Sequence, residues 1–247
     1  MYFRPILLLA PLTLSLTFGA TLPKTTPEEA GLSTPRLQRV RAVLQRYIDR
    51  GEIAGAVALV ARHGKVAYFD AQGVMDLEGK RAMRTDTIFR LASMTKPVTS
   101  LAIMMLQEEG LLLIDDPVSK YLPEFQAPKV AVANAPSERF GPGYRLVPAE
   151  SEITIRQLLT HSAGLASGTA GPTMELVKAL NGTRKPEDLL ADQMKKLAAL
   201  PLNFQPGAHW EYGPATDVLG RVVEVVSGLD LNRFFRQRIL EIGRAHV

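Results

Sequence analysis

The feature that most limits how this chain can fold is the run Leu101-Ala102-Ile103-Met104-Met105-Leu106, apolar at every position and bracketed by Pro97 and Gly110. A helix with no polar stripe has no face to turn to water, so this one is expected to be buried on all sides, with other elements packed around it. Proline fits a helix only in the first turn, where its missing N–H would have no partner anyway, which puts the helix start within a residue or so of Ser93. Gly110 suits the stop. Wrapping such a helix takes a large core, and 247 residues with 46% hydrophobic side chains can bury one large core or two modest ones.

Upstream, Leu37, Val40, Val43, Leu44 and Tyr47 recur at spacings of three and four, predicting an amphipathic helix over 34–50 that is capped by Ser33 or Thr34 and stopped at Gly51. Two short apolar runs, 56–62 and 66–70, flank His63-Gly64-Lys65 and read as a β-hairpin, with a further loop around Gly73 and Gly79. Downstream, Asp116-Pro117 opens a short helix through Tyr121, with the acid as cap and the proline at the first position. Prolines and glycines break residues 126–151 into a long loop, of the kind that often walls a binding site. Thr154 caps a short helix to about Thr160, followed by the turn His161-Ser162-Ala163-Gly164, and residues 167–172 are small and read as flexible. The pattern closes with a helix from Pro186 to Leu200, an extended stretch at 209–212, and a helix from Pro214 with Val218, Val222, Val225 and Val226 on one face. Gly228 ends that helix, and Asp230 caps a last one ending near Leu240.

Composition removes several classes of function. The net charge of +4 is the balance of scattered basic and acidic residues that form no stripe or tail, so no nucleic-acid partner is expected. The absence of cysteine excludes disulfides, thiolate zinc sites and a cysteine nucleophile together. His63, His161, His209 and His246 stand far apart without ligand spacing, and no metal or cofactor is expected. Residues 1–20 start positively at Arg4, run apolar over 6–18 with Pro11 as a break, and end on Gly19 and Ala20. They read as a signal peptide, giving a periplasmic or secreted protein with no stable membrane span after cleavage; an uncleaved N-terminal anchor is the alternative.

Chemistry enters at the mouth of the apolar helix. Ser93 and Lys96 stand three apart, on one helical face, so the amine can reach the hydroxyl. A serine hydroxyl is a weak nucleophile and needs a base beside it, and burial at a helix N-terminus disfavours the protonated amine. A cation in the first helical turn is also unfavourable against the helix dipole, which makes it an odd choice for a merely solvated position. The competing reading is plain: Ser93 as an ordinary N-cap and Lys96 as a solvated first-turn residue. His161 is read as a turn residue rather than a base, because Lys96 is the closer partner for Ser93.

Three blocks, DTIFRLASMTK (86–96), EGLLLIDDPV (109–118) and ITIRQLLTHSAGL (153–165), together with WEYGPATDVLG (210–220), resemble the serine β-lactamase-related family of class C β-lactamases, D-Ala-D-Ala carboxypeptidases and family VIII carboxylesterases. The resemblance covers residues 31 to 240 and keeps the family's order. It implies an α/β fold of the α+β type, with an antiparallel sheet flanked by helices plus a mainly helical region. The chain divides accordingly into the signal peptide (1–20), an N-terminal part of the α/β region (31–88), a mainly helical region carrying the active site (89–240) and a non-native tail (241–247). Ser93, Lys96 and Tyr212 are the implied catalytic residues, with Tyr212 taking the role of the family's facing tyrosine. Where β-lactamases place asparagine two residues after that tyrosine, this chain has Pro214, which cannot hydrogen-bond a lactam amide.

The family also carries a Lys-Thr-Gly-like strand beyond the tyrosine block, and the chain stops short of it, so the C-terminal strands are expected to be missing. The closing residues Ile242-Gly243-Arg244-Ala245-His246-Val247 match an in-frame reading of a common sequencing-library adapter, which points to a truncated gene. Ser93 is expected to supply one oxyanion donor and the missing strand the other, and losing one such donor costs about 10²–10³ in rate. The 247-residue chain on its own is therefore expected to be poorly folded or inactive. The implied function is a serine hydrolase working through an acyl-enzyme, first a carboxylesterase on small acyl esters. The alternatives are a β-lactamase or D-Ala-D-Ala carboxypeptidase, and a non-catalytic penicillin or peptidoglycan sensor.

Overall fold

The computed structural model describes residues 22–134, 143–168, 171–185 and 187–241, which fall into two compact units divided between Arg90 and Leu91. The expected signal peptide, the residues after Glu241 and Pro186 lie outside the described residues. Among the described residues, no helix is long and apolar enough to cross a membrane.

The first unit is a helix on a hairpin. Helix α1 (Thr34–Asp49) starts after Ser33 with Pro35 in its first turn, and Gly51 leaves it at φ +70°, a conformation glycine adopts without a Cβ clash. Leu37, Val40, Leu44 and Ile48 form its half-buried side, while Val43 and Tyr47, expected on that face, are exposed. Strands β1 (Gly55–Arg62) and β2 (Lys65–Gly73) pair antiparallel, with Arg62 opposite Lys65. His63 and Gly64 between them both have positive φ, the signature of a two-residue turn whose twist matches that of the strands. The register shifts once, between Val60 and Ala61. The loop after β2 is closed by a bridge between Val74 and Ala82, and Asp76 accepts the Gly79 N–H inside it.

The second unit is mainly helical. A 3₁₀ turn (Ala92–Thr95) runs into α2 (Lys96–Glu108), and Gly110 at φ +73° follows its end. Thr99, Ala102, Ile103 and Leu106 of α2 are buried, but Leu101 is 48% and Met104 42% exposed. The expectation of burial on every side is thus corrected. Residues 97, 101, 104 and 108 make an exposed stripe at helical spacing, and none of the described elements covers it. Asp116-Pro117 introduces only a 3₁₀ turn (Val118–Lys120), and Asp116 is not its cap. Its carboxylate instead gathers the Leu113 N–H, the Lys120 ammonium and the Tyr121 hydroxyl, which hold its pKa down at about 2.

The stretch expected to be a long loop contains a second antiparallel pair, β3 (Lys129–Ala133) and β4 (Tyr144–Pro148). Helix α3 (Ile155–Leu159) opens with a full capping box: the Thr154 side chain accepts the Gln157 N–H, and the Gln157 side chain accepts the Thr154 N–H. Helices α4 (Met174–Gly182), α5 (Leu190–Ala198), α6 (Ala215–Ser227) and α7 (Leu231–Phe235) follow, the last continued by a π turn (Arg236–Leu240). Helix α6 ends on left-handed Gly228, and the Asp230 side chain caps α7 by accepting the Arg233 N–H. Ile103, Leu106, Leu158, Val218, Leu219, Val222 and Phe234, all nearly inaccessible to water, join α2, α3, α6 and α7 in one core. Burying each such side chain contributes about 1.5–3 kcal/mol. This core fixes α2 against α6, and the site lies where their N-terminal ends meet.

Candidate active site

Ser93 lies in the 3₁₀ turn, Lys96 is the first residue of α2, and Tyr212 precedes α6 by three residues. The structure brings all three together. Ser93 Oγ is 2.7 Å from Tyr212 Oη, Lys96 Nζ donates to Ser93 Oγ at 3.4 Å, and the same ammonium lies 4.7 Å from the centre of the Tyr212 ring. The reading of Ser93 as an N-cap is not what is seen, since its hydroxyl faces two side chains and caps no helix. Ala92, just before the serine, is held at φ +46°, a left-handed conformation that costs a non-glycine residue energy and recurs where side chains are aimed for function.

Tyr212 sits in irregular backbone, so something outside its own element must place it. Leu202 bridges to β3 through its N–H to the Lys129 carbonyl (2.7 Å) and its carbonyl from the Ala131 N–H (2.8 Å). From there the chain is stitched to the turn at 161–164 by three backbone hydrogen bonds: Asn203 N–H to Gly164 O (2.7 Å), Gly207 N–H to Ser162 O (2.7 Å) and Glu211 N–H to His161 O (2.9 Å). Gly164 makes this approach possible. Its φ is +75°, and a Cβ there would stand 2.3 Å from the Phe204 carbonyl oxygen. The turn that looked structural in sequence is therefore the support from which Tyr212 is hung.

The site's electrostatics follow from this geometry. The hydrogen bond with Lys96, then that with the Ser93 hydroxyl, lowers the Tyr212 phenol below its ordinary value of 10.0, opposed by burial and more weakly by Asp217. A cavity of about 150 Å³ borders Lys96, lined also by Thr99, Thr216 and Asp217. His161 packs its ring on Tyr212 with centroids 5.0 Å apart, and Trp210 meets His161 edge-on at 6.1 Å. Burial and the Lys96 charge keep the imidazole pKa below its ordinary 6.5. Sequence reasoning missed the contact between His161 and Tyr212, which are 51 residues apart and joined by no local pattern. The arrangement offers a hydroxyl with a phenol and an amine at hand to move its proton.

Comparison with known proteins gives the family. Residues 40–247 match the Beta-lactamase family. Esterase EstB of Burkholderia gladioli is 39% identical over 196 residues, covering 78% of this chain and 46% of that protein. The lovastatin esterase of Penicillium rubens is 34% identical over 200 residues, covering 80% and 49%. Among solved structures, EstCE1, described as a hydrolase with promiscuous acyltransferase activity, superposes with a TM-score of 0.69 at 34% identity, covering 87% of this chain and 51% of that one. The chain spans about half the length of the relatives it matches. With the family model matched over most of its length and the fold shared with these structures, this chain belongs to the Beta-lactamase family.

Proposed function

We propose that the protein is a serine hydrolase acting on small acyl esters through an acyl-enzyme at Ser93. The observation that carries this reading is the convergence of Ser93 Oγ, Tyr212 Oη and Lys96 Nζ within hydrogen-bonding reach. Tyr212 is the nearer base. With its pKa lowered beside Lys96, the phenolate takes the Ser93 proton as Oγ attacks the ester carbon, and the carbonyl π pair becomes the oxyanion. The Ser93 N–H donates to that oxyanion. Collapse expels the alkoxide, which receives the proton from Tyr212, and water then repeats the sequence to free the acid. Lys96 Nζ, within reach of Ser93 Oγ and over the Tyr212 ring, steadies the negative charge as it passes between the two oxygens.

Pro214 supports esters over lactams, because the N-cap position of α6 offers no side-chain amide to bond a lactam. The sequence similarity to esterases supports the same class. The test is the protein expressed from its native gene, assayed with p-nitrophenyl acetate and butyrate, nitrocefin and a fluorescent penicillin, beside Ser93→Ala. Ester turnover abolished in Ser93→Ala is expected. Faster turnover of nitrocefin than of any ester would move the assignment to a β-lactamase, and stoichiometric penicillin labelling without turnover would make the protein a sensor.

A further inference from the structure

His161 carries two costs that its place in a turn does not explain. It holds φ +55°, an uncommon conformation for a residue with a Cβ, and its Nδ1 is buried with no hydrogen-bond partner. Both costs fall at a residue that contacts Tyr212 and the residue before it. The His161 carbonyl accepts the N–H of Glu211, the residue just before the tyrosine, and the imidazole lies against the phenol ring. Trp210 also meets the imidazole edge-on, so His161 contacts two aromatic rings of the segment it supports. Strain kept at such a place points to function rather than to packing alone.

We propose that His161 is a positioning residue: its ring, packed against the phenol, sets where the Tyr212 hydroxyl stands relative to Ser93 Oγ. The proposal rests on the reading of Ser93 and Tyr212 given above. The ionisable groups around the imidazole are Lys96, Tyr212 and, through the backbone, Glu211, whose carboxylate accepts from the Asn203 amide at 2.8 Å. Burial, then the Lys96 charge, lowers the imidazole pKa, and the ring stands against the Tyr212 phenol as a stop. Glu211 is turned to Asn203 and does not compete for the phenol.

Two substitutions separate the ring from the turn. His161→Asn keeps a residue suited to the left-handed conformation and removes the ring, whereas His161→Phe keeps a ring and strains the backbone. Both are made in the protein expressed from its native gene, and kcat is expressed per site titrated with a p-nitrophenyl phosphonate, which counts folded sites. His161→Asn is expected to lower kcat about 10- to 100-fold with KM within about threefold, the effect of displacing a reacting group by about 1 Å. His161→Phe is expected to recover most of that loss per site despite lower stability. Wild-type kcat per site in His161→Asn overturns the proposal, and so does an equal loss in both variants. Activity that falls only in step with the number of titratable sites also overturns it. Ser93→Ala runs in the same series: turnover surviving there defeats the reading of the site, while turnover lost there with His161→Asn unaffected removes only the role of His161.

Discussion

Replacing Gly164 by alanine tests how Tyr212 is held. The new methyl would meet the Phe204 carbonyl oxygen at 2.3 Å, roughly 1 Å short of ordinary contact, and the partner is backbone that cannot swing away. Holding alanine at φ +75° costs about 1–2 kcal/mol, and relieving the overlap costs about 1–3 kcal/mol more, for a total of about 2–5 kcal/mol. That is a large part of a typical stability of about 5–15 kcal/mol. Gly110→Ala is the control, because Gly110 has nearly the same φ (+73°) and nothing within 4 Å of a Cβ. The backbone strain and the smaller entropy of the unfolded alanine chain are common to both variants and cancel in the difference, which leaves the overlap. Urea denaturation of the wild type and both variants, with unchanged m-values, measures it. Gly164→Ala should lose about 1–3 kcal/mol more than Gly110→Ala and should also lower kcat, since residues 203–212 must move with Phe204. Equal losses in the two variants, within about 0.5 kcal/mol, would refute the close seating of that segment on the turn.

Other expectations follow from single residues. At Ala92, φ +46° predicts that glycine is tolerated or stabilises by up to about 1 kcal/mol while valine destabilises, read from thermal melts of the two variants. The Asp116 carboxyl falls from an ordinary 3.8 to about 2 in the fold, so its contribution is present above about pH 4 and is lost as pH drops toward 2. Asp116→Asn should flatten that part of the stability profile measured by circular dichroism. Because Lys96 is the first cause of the lowered Tyr212 pKa, the tyrosine's ionisation in the kcat profile should lie below 10 in the wild type, and Lys96→Met should shift it upward as overall activity falls.

What could be read from the amino-acid order was whatever is decided within a few residues. Gly51 ends α1, His63-Gly64 makes the hairpin turn, Thr154 with Gln157 caps α3, and Asp230 caps α7, each through contacts no more than a turn away, whereas Ser33 stands before α1 without a side-chain cap bond. The pair Ser93 and Lys96 was legible for the same reason, and Tyr212 only through resemblance to a family. Features set by distant partners were not legible. Strands β3 and β4 are short and Pro/Gly-flanked, and β3 is stabilised by pairing with Leu202 far along the chain. Helix α4 has no side-chain cap to announce it, and its buried anchor, Val177, takes meaning only from its packing. The exposed stripe on α2 is equally invisible to composition, because an apolar helix says what it needs and not what covers it. The contact of His161 with Tyr212 belongs to this second group.

Ser93 Oγ is the atom proposed to carry the acyl group. Rapid acid quench of the protein from its native gene during turnover of p-nitrophenyl butyrate, followed by peptide mass spectrometry, reads this directly. A butyryl adduct is expected on the peptide containing Ser93, absent in Ser93→Ala and slower to form in Tyr212→Phe. An adduct on another residue, or ester turnover undiminished in Ser93→Ala, would contradict it.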